Sequence, residues 1–172
     1  MIVQTYQSQA VLNILKKGRI YRAKPSISFR REYAALIEIL DLDCECPIFG
    51  VIKGRKQNTS GKVSASVKLT LDVPDKFVKL TEFSVWADFL YAIKFTKQGN
   101  YRSLKMEYED ITSKQLQKII EDLKNQRDPS KYEVPQVILE KINPEWLIRY
   151  KNHYGKPSTM EKWEQFCNKF RK

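Results

Sequence analysis

Few of the residues that carry catalytic chemistry stand close to one another in this sequence. The single histidine, His153, lies between Asn152 and Tyr154 in a polar stretch with no nearby serine or cysteine for it to activate. Three cysteines cannot all pair with one another, and Cys44 and Cys46 are closer together than the two sulfurs of a CxxC redox or zinc motif. We therefore expect free thiols, and neither a metal site nor an activated nucleophile.

The carboxylates form pairs that lack a partner motif. Glu107 and Glu109 fall in an extended segment, and Glu121 and Asp122 fall on a predicted helix. A metal-dependent nuclease centre needs a larger cluster of acidic ligands than either pair supplies. The sequence also has no Walker loop and no GxGxxG, GxSxG or HExxH signature. These carboxylates are therefore expected on solvated faces.

Net charge is the strongest compositional clue to a partner. The chain of 172 residues has 31 basic and 20 acidic residues, a formal charge of +11 and a pI near 9.5. Such an excess of basic residues favours a polyanionic partner. The candidates are a nucleic acid, a phosphate-bearing small molecule and an acidic protein. The first acidic residue is Glu32, and seven basic residues precede it: Lys16, Lys17, Arg19, Arg22, Lys24, Arg30 and Arg31.

Hydrophobic periodicity predicts the elements that position these charges. Residues 1–6 alternate as a strand, and Ser8 begins a short helix that Gly18 ends. Lys16 and Lys17 then lie in the last helical turn, where cations favour the helix dipole. A second strand is predicted over 19–23 and a helix over 28–43.

The middle of the sequence predicts a β-hairpin with a basic tip. A strand over 47–54 and an alternating strand over 63–73 are joined by the polar loop 54–62. Basic side chains at this tip, together with one arginine beside Tyr101, suit contacts with the phosphates of a nucleic acid. The candidate nucleic-acid-binding residues are Lys53, Arg55, Lys56, Lys62 and Arg102.

The second half alternates helices and strands. Thr81 is the predicted cap of an aromatic helix over 82–95, and Ser113 begins a further helix. A strand follows over 136–142, and the pattern of 157–172 indicates a C-terminal amphipathic helix that packs on the rest. With no repeat or composition break, the mixed order predicts a single α+β domain over 1–172.

The amino-terminal sequence gives an expectation for location. The stretch MIVQTYQSQA lacks the charged head and long apolar segment of a signal peptide. No uninterrupted apolar run approaches the roughly 18 residues that cross a bilayer. We expect a cytoplasmic protein without membrane association, whose oligomeric state the sequence leaves open.

The segment TYQSQAVLNILKKGRIYR resembles the opening of the ADP-ribosyltransferase fold, in particular its DarT-like branch of toxins that modify nucleic acids. In that branch a first strand with a polar motif leads into a Leu-x-x-Ile-Leu-x-x-Gly helix, followed by an arginine. Val11, Ile14, Leu15 and Gly18 have that spacing. The stretch VPQVILEKINPEWLIRYK is similar to the late strand of the family and the proline-containing turn after it. The resemblance implies a split antiparallel sheet with flanking helices.

The resemblance also implies roles for individual residues in binding NAD. The first-strand residues Gln4, Thr5 and Tyr6 would hold the ribose, and Tyr33, or alternatively Tyr21, would provide an aromatic platform. Arg22 would contact the pyrophosphate, and the late-strand position of the catalytic glutamate falls on Gln136. A neutral amide there predicts crippled transfer. Glu133 and Glu140 substitute only in a different register.

A larger part of the chain resembles an uncharacterised family of bacterial and phage proteins. The shared features are the Thr-x-Gln opening, the block VPDKFVKLTEFSVWADFLY and a late strand that carries glutamine. Because that family has no assigned activity, the resemblance implies topology and not a reaction.

Three functions remain open at this stage. The first is an ADP-ribosyltransferase-like domain, active or degenerate, from a mobile element or a defence or counter-defence system, which binds a nucleotide or nucleic acid. The second is a basic module that binds nucleic acid without chemistry. The third is a small inhibitor, of phage origin, that acts on an acidic or nucleic-acid-handling enzyme.

Overall fold

A computed structural model of the protein describes residues 1–25, 30–57, 67–94 and 113–152. These ranges form six strands and four helices, and the prediction of an α+β single-domain class is confirmed. The elements, in chain order, are β1 (Ile2–Gln7), α1 (Gln9–Lys16), α2 (Arg30–Leu40), β2 (Ile48–Ile52), β3 (Val67–Asp72), β4 (Lys79–Glu82), α3 (Phe83–Lys94), α4 (Ser113–Lys124), β5 (Pro135–Leu139) and β6 (Leu147–Asn152).

The six strands form one antiparallel sheet in the order β4-β5-β2-β1-β3-β6. The first strand of the sequence therefore lies inside the sheet, with β2 on one side and β3 on the other. Its residues Val3, Gln4 and Thr5 are buried because the sheet continues in both directions.

The sheet is divided between β1 and β2. These two strands share only two paired positions, Val3 with Ile52 and Gln4 with Val51, whereas β1 and β3 pair along all six residues. Beyond Gln4 a side-chain bond replaces the backbone pairs, because the Thr5 hydroxyl donates a hydrogen bond to the Phe49 carbonyl at 2.7 Å. Backbone pairing between the two three-stranded halves is therefore confined to one end of β1, and a side-chain bond continues it.

A hydrophobic core covers each face of the sheet. On one face α1 packs Val11, Leu12 and Leu15 against the side chains of the central strands. On the other face α2, α3 and α4 enclose a second core with Phe89 at its centre and Ile138 of β5 at its base. The helices of this second layer contact one another and β4, so they lie over the β4-β5-β2 half of the sheet.

The predicted hairpin is wrong. The strands assigned to it are present as β2 and β3, but β1 lies between them and both run antiparallel to β1. They are consequently parallel to each other and are not paired as a hairpin. Alternation of apolar residues predicts a strand but does not specify its partner.

Two local predictions are also corrected. The strand predicted over 19–23 is reduced to a bridge in which Tyr21 and Ile142 exchange backbone hydrogen bonds of 2.9 and 2.8 Å. Thr81 does not cap a helix, because it lies within β4 and is completely buried, and α3 begins after it at Phe83. The sequence before Phe83 is long enough for a short strand, and Thr81, the proposed helix cap, belongs to this strand.

Some predicted features lie outside the described residues. These are the C-terminal helix over 157–172, the Ser28 start of the second helix, and two of the basic candidates, Lys62 and Arg102.

A side chain closes the free edge of β4. The carboxamide of Gln126 accepts from the Leu80 amide at 2.8 Å and donates to the Leu80 carbonyl at 3.0 Å, as a neighbouring strand would. We expect Gln126→Ala to lower the free energy of unfolding by about 1 kcal/mol and to accelerate hydrogen exchange at Leu80. Gln117→Ala is the control, because Gln117 is exposed and bonds only within α4 to Glu121. Unchanged exchange at Leu80 would contradict this assignment.

Candidate functional site

A row of polar side chains crosses one face of the sheet. Directly opposite residues on neighbouring strands share a face, and the register places six residues in line: Thr81, Gln136, Val51, Gln4, Thr70 and Arg149. Gln4 and Gln136 are separated by one strand and are therefore about 10 Å apart. Two residues that the sequence assigned to one site thus lie on the same surface.

Exposure varies along this row. Thr81, Thr70 and Gln4 are buried, Gln136 and Val51 are half-buried, and Arg149 is exposed. Gln136 is within hydrogen-bond reach of Thr81, whose hydroxyl donates to Oε1 at 3.4 Å. The row thus forms a polar floor with an exposed cation at one end.

Aromatic rings stand next to this floor. Tyr6 lies two residues beyond Gln4 and therefore on the same face of β1, and the Lys68 ammonium is 5.6 Å from the centre of its ring. On β2, Phe49 is on the same face as Val51, and the Tyr33 ring of α2 lies 5.4 Å from the Phe49 ring at a tilted angle. Burial raises the pKa of the Tyr33 phenol, and the nearby Cys46 and Glu32 add to this shift, so the ring stays neutral at physiological pH.

The paired positions of β1 and β2 end between these rings. Tyr6 lies on β1 beyond its last pair with β2, and Phe49 lies on β2 on the opposite side of the gap. We call the site formed by Gln4, Tyr6, Phe49, Tyr33 and Gln136 the crevice. Amides, hydroxyls and aromatic faces are the groups that bind a ribose and a planar base.

Thr5 lies on the opposite face of the sheet from the crevice. It shares the face of Val3, is almost fully buried, and accepts a hydrogen bond from Gln7 Nε2 at 2.8 Å while donating to the Phe49 carbonyl. The bond to Phe49 joins β1 to β2 where their backbone pairing ends, and the bond from Gln7 lies within β1 and orients the Thr5 hydroxyl. In this structure Thr5 therefore holds the shape of the crevice and does not line it.

Arg22 is also placed away from the crevice. Its guanidinium is exposed and donates to the Asp43 carbonyl at 2.9 Å, while the Asp43 amide donates to Glu140 Oε1 at 3.0 Å. Glu140 follows the end of β5, four residues and roughly 13 Å along the chain beyond Gln136, so Arg22 is linked through Asp43 to the far end of that strand. Arg22 lines a separate open cavity of about 570 Å³ with Ala23, Lys24, Leu42, Asp43, Cys44 and Glu45.

That cavity mixes charges of both signs and is lined by the thiol of Cys44. Burial and the nearby Glu140 carboxylate raise the pKa of Cys44 to about 11. At pH 8 we expect iodoacetamide to alkylate Cys44 at least tenfold more slowly than a free thiol with its usual pKa of about 8.5, with a rate that climbs as the pH approaches 11. Site-resolved mass spectrometry would measure this rate, and fast alkylation at pH 8 would contradict it.

Neither alternative carboxylate reaches the crevice. Glu133 is exposed and forms an ion pair with Lys56, which lowers the pKa of Glu133. Glu140 receives the Asp43 amide at the far end of β5. The residue of β5 that lies on the floor of the crevice is therefore the neutral Gln136.

The basic residues after β2 are partly engaged within the molecule. Arg55 donates to the Tyr132 carbonyl at 2.6 Å, and Lys56 pairs with Glu133. Lys53 follows β2 directly and its side chain is exposed. Two of the three described candidates for nucleic-acid binding thus contact the loop before β5.

Sequence reasoning missed the cations that share a face with the crevice. Lys68, Arg149 and Lys151 lie on β3 and β6, and the register places Lys68 directly opposite Lys151. Their alternation with apolar residues was visible in the sequence. Without the strand pairing, however, nothing connected residues 68 and 151.

Comparisons of the chain with protein-family models, curated proteins and solved structures gave no significant match. None of the helices in the described ranges has the length and apolar content required to span a membrane. The same ranges contain no group of three or more histidine, cysteine or acidic residues arranged to hold a metal ion.

Proposed function

We propose that the chain is an ADP-ribosyltransferase-like domain that binds an ADP-ribose-containing nucleotide in the crevice and does not transfer ADP-ribose. The observation that carries the proposal is the end of backbone pairing between β1 and β2 beyond Gln4, beside a shared polar and aromatic surface, and we place a nucleotide cleft there. A cleft of this kind, between two halves of a sheet, is what the sequence resemblance implies for the nucleotide site.

The proposed binding mode follows from the chemistry of the floor. The Gln4 carboxamide offers both a donor and an acceptor to ribose hydroxyls, and Tyr6 offers a face for a planar ring, while Phe49 packs between Tyr33 and Trp86 at the border of the second core. Lys68, next to the Tyr6 ring, supplies positive charge for the phosphates. Gln4 is the residue on which the proposal depends most, because it lies in the same row as Gln136 and adjoins the gap.

The proposed lack of transfer follows from Gln136. Breaking the bond between nicotinamide and ribose develops positive charge on the sugar, and a carboxylate stabilises that charge where a neutral amide does not. Glu133 and Glu140 are engaged elsewhere, and the Arg22 guanidinium bonds to a backbone carbonyl near the other end of β5. The crevice is therefore suited to recognition of the nucleotide without its cleavage.

Calorimetric titration with ADP-ribose and NAD tests the proposal. Both ligands are expected to bind the natural chain, and Gln4→Leu, which keeps the side-chain volume but removes the amide, is expected to weaken binding at least tenfold. Lys118→Ala is the matched control, because Lys118 is exposed on α4. No heat with either ligand, or equal affinity in Gln4→Leu, would overturn the proposal.

A further inference from the structure

The outer edge of β6 is open in the described part of the chain. β6 pairs with β3 on one side, and no described strand pairs with its other side. Every residue of β6 after Leu147 is exposed. Backbone amides and carbonyls along such an edge are free to pair with an extended segment from another protein.

The two edges of the sheet are treated differently. At β4 the Gln126 carboxamide occupies the backbone groups of Leu80, and the Tyr132 hydroxyl lies 3.5 Å from the same carbonyl. No comparable side-chain bond to the backbone of β6 occurs among the hydrogen bonds of the described residues. Among the described residues, one edge is therefore closed against pairing and the other is left unpaired.

The charges near the open edge select an acidic occupant. Arg149 and Lys151 share a face of β6, and Lys151 lies directly opposite Lys68. Like charges in directly opposite positions destabilise a sheet, and β6 itself carries no acidic residue. Carboxylates on an added strand would lie beside Arg149 and Lys151 and relieve this repulsion.

The opposite face of β6 selects apolar side chains. Tyr150, opposite Leu69, is 46% exposed, and its hydroxyl accepts from the Lys16 ammonium at 2.8 Å, while Ile148, the unpaired residue between the positions opposite Leu71 and Thr70, is 55% exposed. An added strand that alternates acidic and apolar residues would satisfy both faces at once. A second copy of β6 would not, because it would bring Arg149 and Lys151 of one molecule against those of the other.

We infer that β6 is a docking edge for an extended acidic segment of a partner protein, which adds to the sheet as a seventh strand. This inference does not depend on nucleotide binding in the crevice. It assigns part of the positive charge of the chain to recognition of a protein.

The experiment uses the full chain and a fluorescein-labelled peptide of the pattern Glu-Val-Glu-Thr-Glu-Val-Glu. Fluorescence anisotropy is expected to show that this peptide binds. The same peptide with proline in place of valine and threonine is expected to bind at least tenfold more weakly, because it keeps the charge but cannot pair as a strand. Arg149→Glu combined with Lys151→Glu is expected to weaken binding at least tenfold, and Lys118→Glu, on α4, less than twofold. Amide exchange at residues 149–152 is expected to slow when the peptide is bound.

Three results would overturn the inference. The first is equal binding of the valine and proline peptides, which would show that the peptide is held by nonspecific charge attraction and not by strand pairing. The second is an equal loss of binding in Lys118→Glu and the double variant. The third is that the peptide does not bind while a single-stranded oligonucleotide of equal charge does, with its binding lost when Arg149 and Lys151 are replaced. That result would assign these cations to recognition of nucleic acid.

Discussion

Replacing Gln136 by glutamate is expected to give the chain a slow NAD glycohydrolase activity. Gln136 lies on the floor of the crevice, in the same row as Gln4 and within reach of the Thr81 hydroxyl. In the variant a carboxylate occupies this position, where it stabilises positive charge as the bond from ribose to nicotinamide breaks and water adds to the ribose. Removal of one preorganised electrostatic group typically costs about 10²–10³-fold in rate, so we expect release of nicotinamide roughly 10²-fold above the natural chain.

The matched control is Gln136→Leu, which is neutral and similar in size. It is expected to release nicotinamide no faster than the natural chain, while its unfolding transition reports whether the fold is kept. Chromatographic detection of free nicotinamide measures both variants. Equal rates in Gln136→Glu and Gln136→Leu, with NAD bound in each, would contradict the placement of residue 136 at the reacting end of the nucleotide.

Replacing Gly50 by alanine is expected to destabilise the junction between the two halves of the sheet. A Cβ atom at this position would lie 2.8 Å from Val3 Cγ1 and 3.1 Å from the Gln4 carbonyl oxygen. Both neighbours belong to β1 near the pairs that join it to β2. Overpacking of this kind costs about 1–3 kcal/mol, which lowers the melting temperature by roughly 3–10 °C for a chain of this size.

A double-mutant cycle separates this clash from a general effect of alanine in a strand. In a Val3→Ala background the closest contact is removed, so Gly50→Ala is expected to cost at least about 0.5 kcal/mol less than in the natural chain. Denaturant unfolding of the four proteins gives the coupling energy. Strict additivity would show that Val3 does not limit the approach of β2 to β1.

Local patterns in the sequence predicted most elements but not their neighbours in the sheet. The spacing of Leu36 and Leu40 predicted α2, and the alternation of Leu69 and Leu71 predicted β3. Strand pairing depends on contacts between distant parts of the chain, and this is why the hairpin prediction failed when β1 entered between β2 and β3. The reduction of 19–23 to a bridge has the same origin, since Tyr21 pairs with Ile142 far along the sequence.

The candidate site shows the same division between local and distant information. Polar residues of the first and late strands were identified as a pair, and the structure places Gln4 and Gln136 on one face with one strand between them. The alternation of a strand already separates Thr5 from Gln4 and Tyr6, and the grouping of all three in one site overlooked it, while the neighbours of each face are decided by the pairing with β2 and β3. Arg22 lies in a connection whose path depends on its contacts with Asp43 and the end of β5, which no local pattern encodes.

Chemical-shift mapping with ADP-ribose tests most directly whether β1 and β2 form a nucleotide site where their backbone pairing ends. In amide spectra of the labelled full chain, we expect the largest perturbations at residues 4–7 of β1 and 49–51 of β2, with saturation on titration. Residues 41–45, around the separate cavity lined by Arg22, are expected to shift little. Saturating perturbations at 41–45 without changes at 4–7 and 49–51, or no perturbation anywhere, would contradict the account.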